Sequence, residues 1–284
     1  MRMGGEFIEI QLDAIVDPGE LLAFLPSNDA AGAWESDGIV RVCWPREQWS
    51  PGILEELENA LRRLGVSVSA ANVRLQEIPD RDWNESWVRS IRPINIGERV
   101  IVRQSWNPVD VPAGMVELVI DPKRAFGSGY HETTRLLVQW IADEIRGGET
   151  VLDVGTGSGI LAMTALRFGA ALAVGIDNDE AAIECARENA SLNGFGAELE
   201  LRVGLAGTIG AERFDLIVAN IDRKTLSGCV GKLGENLKAE GRALLSGLLE
   251  EDCTDLSGEI EAARGRITRK RSLGEWAALE VRYG

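Results

Sequence analysis

Histidine is nearly missing from this chain, with a single copy, His131, among 284 residues. With no cysteine or serine elbow beside it, nothing marks a paired nucleophile and base. The four cysteines, Cys43, Cys185, Cys229 and Cys253, lie far apart without metal-ligand or redox spacing. That pattern fits reduced thiols in a cytoplasm, and no metal site is expected. No apolar run approaches the roughly 20 residues of a membrane span, so no membrane partner is expected. The first residues reach Glu6 before any apolar core, unlike a signal peptide. Basic charge is also short: 30 Lys and Arg face 45 Asp and Glu, a net charge of −15. This argues against direct binding of nucleic acid, which wants a basic face. It permits a basic partner, because opposite fields steer encounter.

What is present suits a globular chain of two domains, 45% hydrophobic and 26% charged. Residues 6–12 and 38–44 alternate as strands do. From Ser50 to Leu64, apolar residues at 53, 54, 57, 61 and 64 recur at helical spacing, with Pro51 at the start and Gly65 at the stop. Strand-like alternation returns over 66–78. Residues 1–79 therefore read as a small α+β domain. Residues 1–80 hold six Arg against fourteen Asp or Glu, a balance of −8, either a solvated surface or a docking face for a basic macromolecule. Asp80 to Ile91 reads as a helix with Trp83 and Trp87 one turn apart, the centre of a helical linker over 80–98. A hairpin-like pair at Arg99–Trp106 and Met115–Ile120 then leads into a second domain, 99–284.

In that domain apolar strands at 150–154, 171–176, 199–203, 214–219 and 242–248 alternate with helices at 134–145, 180–193 and around 226–237. This pattern predicts an α/β, doubly wound, Rossmann-like parallel sheet covered on both faces. Two final strands, 266–272 and 276–283, are joined by Leu273-Gly274-Glu275, too short for anything but an antiparallel hairpin.

The chemistry centres on Val151-Leu152-Asp153-Val154-Gly155-Thr156-Gly157-Ser158-Gly159-Ile160. A buried strand, a glycine turn and a helix start make a loop that a nucleotide-like cofactor can approach closely. A dinucleotide loop wants glycine at its first, third and sixth positions. Here Ile160 fills the sixth. Asp153, at the end of the buried strand, is awkward beside a pyrophosphate but suits a cationic group, as on S-adenosylmethionine; its other role is to cap the loop's own amides. Asp177, ending the next strand, can accept ribose hydroxyls, and Asp179 fits a helix cap.

Residues 125–134, Ala-Phe-Gly-Ser-Gly-Tyr-His-Glu-Thr-Thr, form a second glycine-rich loop before a helix. Phe126, Gly127 and Thr134 are cofactor-binding candidates there, and His131 is either a structural hydrogen-bonder or a proton acceptor. Asn220 lies at the carboxyl edge of a parallel strand, where ligands bind in open α/β sheets. It can orient a nitrogen nucleophile or simply sit in the turn.

These segments together resemble one family. Asp121–Thr134, Val151–Leu161, Gly175–Asp177, Ala186–Gly194 (Ala-Arg-Glu-Asn-Ala-x-x-Asn-Gly) and Ala219–Ile221 are similar, in order and spacing, to the ribosomal protein L11 methyltransferases (PrmA). The resemblance covers about residues 80–284. It implies a seven-stranded class I methyltransferase sheet and S-adenosyl-L-methionine as cofactor. It also implies methyl transfer to lysine or α-amino nitrogens of a ribosomal large-subunit protein, with the acidic first domain recognising that protein. Thr134, Gly155, Asp177 and Asn220 fall on the family's cofactor-contacting positions, with Asp153, Gly157 and Gly159 in the same loop. The chain departs from the family's usual residues at Ser128, Tyr130, Glu132, Thr156 and Asp222, the last adding a carboxylate beside the acceptor position. The competing readings are another amine specificity, a dinucleotide oxidoreductase, and a non-catalytic ribosome-associated scaffold.

Overall fold

The computed structural model describes residues 6–13, 21, 25, 30, 32–36, 38–64, 66, 73–79, 92–121 and 129–284. The expected connector helix at 80–91, and Phe126 and Gly127, lie outside the described residues. The chain divides into two compact units, 1–91 and 92–284.

In the first unit β1 (Glu6–Leu12), β2 (Gly32–Ser36), β3 (Ile39–Pro45) and β4 (Val73–Pro79) form an antiparallel sheet in the order β2-β3-β1-β4. Alternation puts Ile10, Leu12, Val40, Val42 and Trp44 on one face. There they pack against Ile53, Leu57, Ala60 and Leu61 of helix α1 (Gly52–Arg63). The 3.6-residue repeat of α1 and the two-residue repeat of the strands thus supply the two halves of one core.

The second unit starts at Arg92. Residues 92–98, expected in the connector, belong to this unit, and β5 (Ile94–Ile96) pairs antiparallel with β6 (Val100–Arg103). β7 (Val116–Val119) then pairs with β6 in parallel, not as a hairpin. The segment 104–115 between them is long enough for a crossover, and parallel neighbours need about a dozen residues.

The main sheet contains β8 (Thr150–Val154), β9 (Leu172–Asp177), β10 (Leu199–Val203), β11 (Phe214–Asn220), β12 (Leu237–Leu249), β13 (Gly265–Leu273) and β14 (Trp276–Tyr283). Its order is β10-β9-β8-β11-β12-β14-β13. β8 to β12 run parallel; β14 lies antiparallel between β12 and its hairpin partner β13. Helices α2 (Glu132–Glu144), α3 (Ile160–Arg167), α4 (Glu180–Leu192), α5 (Arg223–Glu235) and α6 (Asp252–Ala262) cover it.

β11 shows how both faces are buried. Leu216 and Val218 join a core with Leu137 and Ile141 of α2 and Leu161 of α3. Ile217 and Ala219 join another with Leu226 and Val230 of α5 and Leu256 of α6. The chain winds outward from β8 to β10, then returns to β11 on the other side of β8. The crevice beyond the ends of β8 and β11 is therefore the switch point where ligands bind. No helix among the described residues is long and apolar enough to cross a membrane.

Candidate active site

The glycine loop leaves β8 with Gly155, Gly157 and Gly159 at φ of 71°, 52° and 82°, angles that side chains resist. Its amides face inward. Gly155 and Thr156 N–H both donate to Ile176 O at 2.9 Å, Gly159 N–H donates to Thr156 O at 2.8 Å, and Gly157 N–H donates to Asp177 Oδ2 at 2.9 Å. A loop that cradles a pyrophosphate needs such donors free.

Asp153 holds this loop from beneath. It is completely buried, and its Oδ2 accepts from Thr156 Oγ1 at 2.8 Å and from Ala162 N–H, in the first turn of α3, at 3.2 Å. Its Oδ1 is buried with no hydrogen-bond partner. Burial raises the carboxyl pKa to about 7, against the lowering effect of those two donors. Its Oδ2 therefore serves the loop-capping role, and Oδ1 is the oxygen left over for the cationic group that the sequence suggests.

Asp177 ends β9 partly exposed. Its Oδ2 accepts from Gly157 and its Oδ1 from Asp179 N–H at 3.1 Å. Each oxygen retains acceptor capacity for a further donor. Asp179 caps α4 through Ala181 N–H at 2.9 Å, as its position in the sequence suggests.

Thr134 and Asn220 are 86 residues apart in sequence, and the fold brings them together: Asn220 Nδ2 donates to Thr134 Oγ1 at 3.1 Å. Thr134 is buried in the first turn of α2, and Asn220 is the last residue of β11. Asn220 Oδ1 is buried and has no partner. The following residue, Ile221, is wedged between two glycines. A Cβ on Gly155 would lie 2.4 Å from Ile221 Cγ2, and one on Gly247 would lie 2.3 Å from Ile221 O. Gly247 has φ of 85° and sits where the β12–β14 register shifts, between Leu245 and Leu248. The glycine loop, the Asn220 turn and the β12 irregularity are thus one packed unit.

His131 is the N-cap of α2. Its Nδ1 accepts from Thr133 N–H at 3.3 Å and lies 2.8 Å from Thr133 Oγ1, and its ring meets Trp276 edge-on at 4.7 Å. These contacts make His131 the cap of α2. Asp222 is likewise an N-cap. Its carboxylate accepts from Thr225 N–H at 3.0 Å and from Thr225 Oγ1 at 2.5 Å, which holds its pKa below the usual carboxylate value. The extra carboxylate beside Asn220 is thereby accounted for by helix α5.

Two buried asparagines belong to the site's frame although the sequence marked them only inside a longer motif. Asn189 Nδ2 donates to Ser158 O at 3.0 Å while its Oδ1 accepts from Asp121 N–H at 3.1 Å. Asn193 Oδ1 accepts from Val119 N–H at 2.9 Å, and its Nδ2 donates to Val119 O at 2.7 Å. Their spacing of four residues puts them on one face of α4, from which they tie the glycine loop to the end of β7.

The sequence model for ribosomal protein L11 methyltransferase (PrmA) matches residues 25–283. The ribosomal protein L11 methyltransferase of Synechococcus sp. is 34% identical over 264 residues, covering 90% of this chain and 84% of that protein. That of Cupriavidus necator is 39% identical over 225 residues, covering 79% and 73%. The crystal structure of ribosomal protein L11 methylase from Lactobacillus delbrueckii subsp. bulgaricus aligns with a TM-score of 0.64 at 30% identity, covering 68% of this chain and 100% of that one. The chain belongs to the ribosomal protein L11 methyltransferase (PrmA) family.

Proposed function

We propose that the chain transfers methyl groups from S-adenosyl-L-methionine to lysine side-chain and α-amino nitrogens of ribosomal protein L11. The single observation that carries the nitrogen-acceptor reading is Asn220. Its amide is fixed by Thr134 with Oδ1 turned to no protein donor, at the edge of the sheet where a ligand binds. A buried acceptor without a partner is costly, and an incoming amine N–H relieves that cost.

The residues fit the cofactor. A loop whose amides are engaged internally suits a ligand without a pyrophosphate, which also weighs against a dinucleotide oxidoreductase. Thr134, Gly155, Gly157, Gly159 and Asp177 would hold it, Asp177 through the ribose hydroxyls; bound there, it supplies an electrophilic methyl group. Phe126 and Gly127 remain proposed contacts from the neighbouring loop.

The chain's own residues then have one task, to present a neutral nitrogen in line. Deprotonating a lysine of ordinary pKa at neutral pH costs roughly 4–5 kcal/mol. Burial of the amine disfavours its ammonium form and reduces that cost, so no strong base is required. Asn220 Oδ1 accepts one N–H and directs the lone pair, and the rate gain comes from alignment. The acidic first 79 residues act as the docking face for the basic substrate in a cytoplasmic setting.

The test is to incubate the purified chain with methyl-labelled S-adenosylmethionine and L11, then map labelled peptides by mass spectrometry. Label on lysine or the α-amine supports the reading, and no label on L11 removes it. Titration with S-adenosylhomocysteine and NADH separates the cofactor classes; tight binding of NADH alone would overturn the cofactor assignment.

A further inference from the structure

In a chain with a net charge of −15, two arginines without a carboxylate partner lie close together near the end of the last strands. Among the described residues, neither Arg264 nor Arg266 has a side-chain hydrogen bond or ion pair. Both line a cleft of about 340 Å³, together with Arg282, Glu240 and Tyr283. The cleft is remote from the Asn220 end of the sheet. β12 begins beside Phe214, at the start of β11, and reaches Ser246 only beside Asn220.

Three features set this cluster apart from an ordinary charged surface. Arg266 and Arg282 are direct partners across the β13–β14 pair, and like charges placed opposite each other are destabilising. Arg282 is only partly compensated: its Nη1 donates to the Glu240 carbonyl oxygen at 3.3 Å, and its Nε lies 3.6 Å from Glu280 Oε1. Glu280 is already engaged by Arg269 and Thr268.

Arg264 is also the one non-glycine residue with positive φ, 62°, among the described residues. It follows the C-cap of α6, where glycine is the usual solution. A cation near a helix C-terminus is favourable, which accounts for Arg264 alone but not for Arg266 and Arg282 beside it.

The rest of β13 provides the contrast. It is the edge strand, and basic residues on an edge discourage pairing with other chains. Arg269, Lys270 and Arg271 serve that purpose, and each is paired with a carboxylate: Arg269 with Glu144, Lys270 with Glu250 and Arg271 with Asp143. Arg264 and Arg266 are not paired, and with Arg282 they line one concavity.

We propose that this cleft is a phosphate-binding site, in which the guanidinium groups of Arg264, Arg266 and Arg282 take the oxygens of one phosphate monoester or phosphodiester. Guanidinium forks match phosphate geometry and bind it bidentately.

The experiment is calorimetric titration of the full chain with inorganic phosphate at fixed ionic strength, with chloride as the matched control. The comparison variant is Arg264→Gly/Arg266→Gln, in which glycine relieves the left-handed backbone and keeps the fold, as its melting temperature will report. Saturable heat with phosphate but not chloride, and affinity at least tenfold weaker in the variant, are expected. Methyl transfer to L11 stays unchanged in the variant. A single-stranded RNA oligonucleotide that displaces phosphate identifies a polymer as the source, whereas failure to displace identifies a small phosphorylated ligand. No saturable heat with either probe, or heat unchanged in the variant, overturns the proposal.

Discussion

Asn220 Nδ2 and Thr134 Oγ1 meet at 3.1 Å, which ties the end of β11 to the first turn of α2 and leaves the other face of the amide without a partner. Asn220→Ala removes the acceptor and is expected to lower kcat about 100-fold, the scale associated with misplaced reactants. Thr134→Val keeps the shape but releases the amide, so kcat should fall about tenfold and Thr134→Ser should restore it. Single-turnover rates with labelled cofactor are the measurement. Wild-type turnover in Asn220→Ala would remove the residue from the reaction.

The legibility of this site follows the range of the interactions involved. The turn glycines, the Asp179 cap and the parallel sheet were readable because each is set by neighbours in sequence: positive φ, a short polar side chain before a helix, apolar runs of strand length. Asp153 was ambiguous because its role depends on Thr156 Oγ1 and Ala162 N–H, and the sequence does not say whether a strand-end carboxylate turns inward or outward. Asn193 is legible only as part of a motif, because the group it satisfies, Val119, lies 74 residues away. β6 and β7 read as a hairpin in the sequence for a related reason. Alternation identifies a strand but not the direction of its neighbour, and here the intervening segment is a crossover between parallel strands.

Asp153 makes stability depend on pH in a definite direction. Its folded pKa of about 7 lies above its ordinary value of 3.8. The folded state therefore binds the proton more tightly, and the associated stability is present below pH 4 and lost as pH rises through 7. Asp153→Asn carries no charge to bury. The difference in unfolding free energy between variant and wild type should move in the variant's favour by about 4 kcal/mol at most between pH 4 and pH 8. Urea unfolding of both proteins across that range measures it; a difference independent of pH would mean that the carboxyl titrates normally.

The two glycines around Ile221 should respond differently to alanine. At Gly155 the obstructing atom is Ile221 Cγ2, a side-chain atom, whereas at Gly247 it is the Ile221 carbonyl oxygen. Both substitutions also force a side chain into left-handed backbone, with strain of about 1–3 kcal/mol. Adding Ile221→Ala should therefore recover part of the stability and activity lost in Gly155→Ala, and none of that lost in Gly247→Ala. Melting temperatures and kcat of the single and double variants provide the comparison. Equal rescue of both would show that the backbone clash at Gly247 is not the cause.

Asp222 separates a structural carboxylate from a substrate-selecting one. Its bonds to Thr225 cap α5, and replacing such a cap with alanine costs about 1 kcal/mol. Its lowered folded pKa means that this contribution is present above the unfolded value near 3.8 and is lost as pH falls through the folded one. Asp222→Ala should thus be less stable at pH 7 and converge with wild type in acid. Asp222→Ser, which caps without charge, should keep both stability and kcat/KM for L11. If Asp222→Ser instead raises KM for L11 while leaving the melting temperature unchanged, the carboxylate reads the substrate as well as the helix.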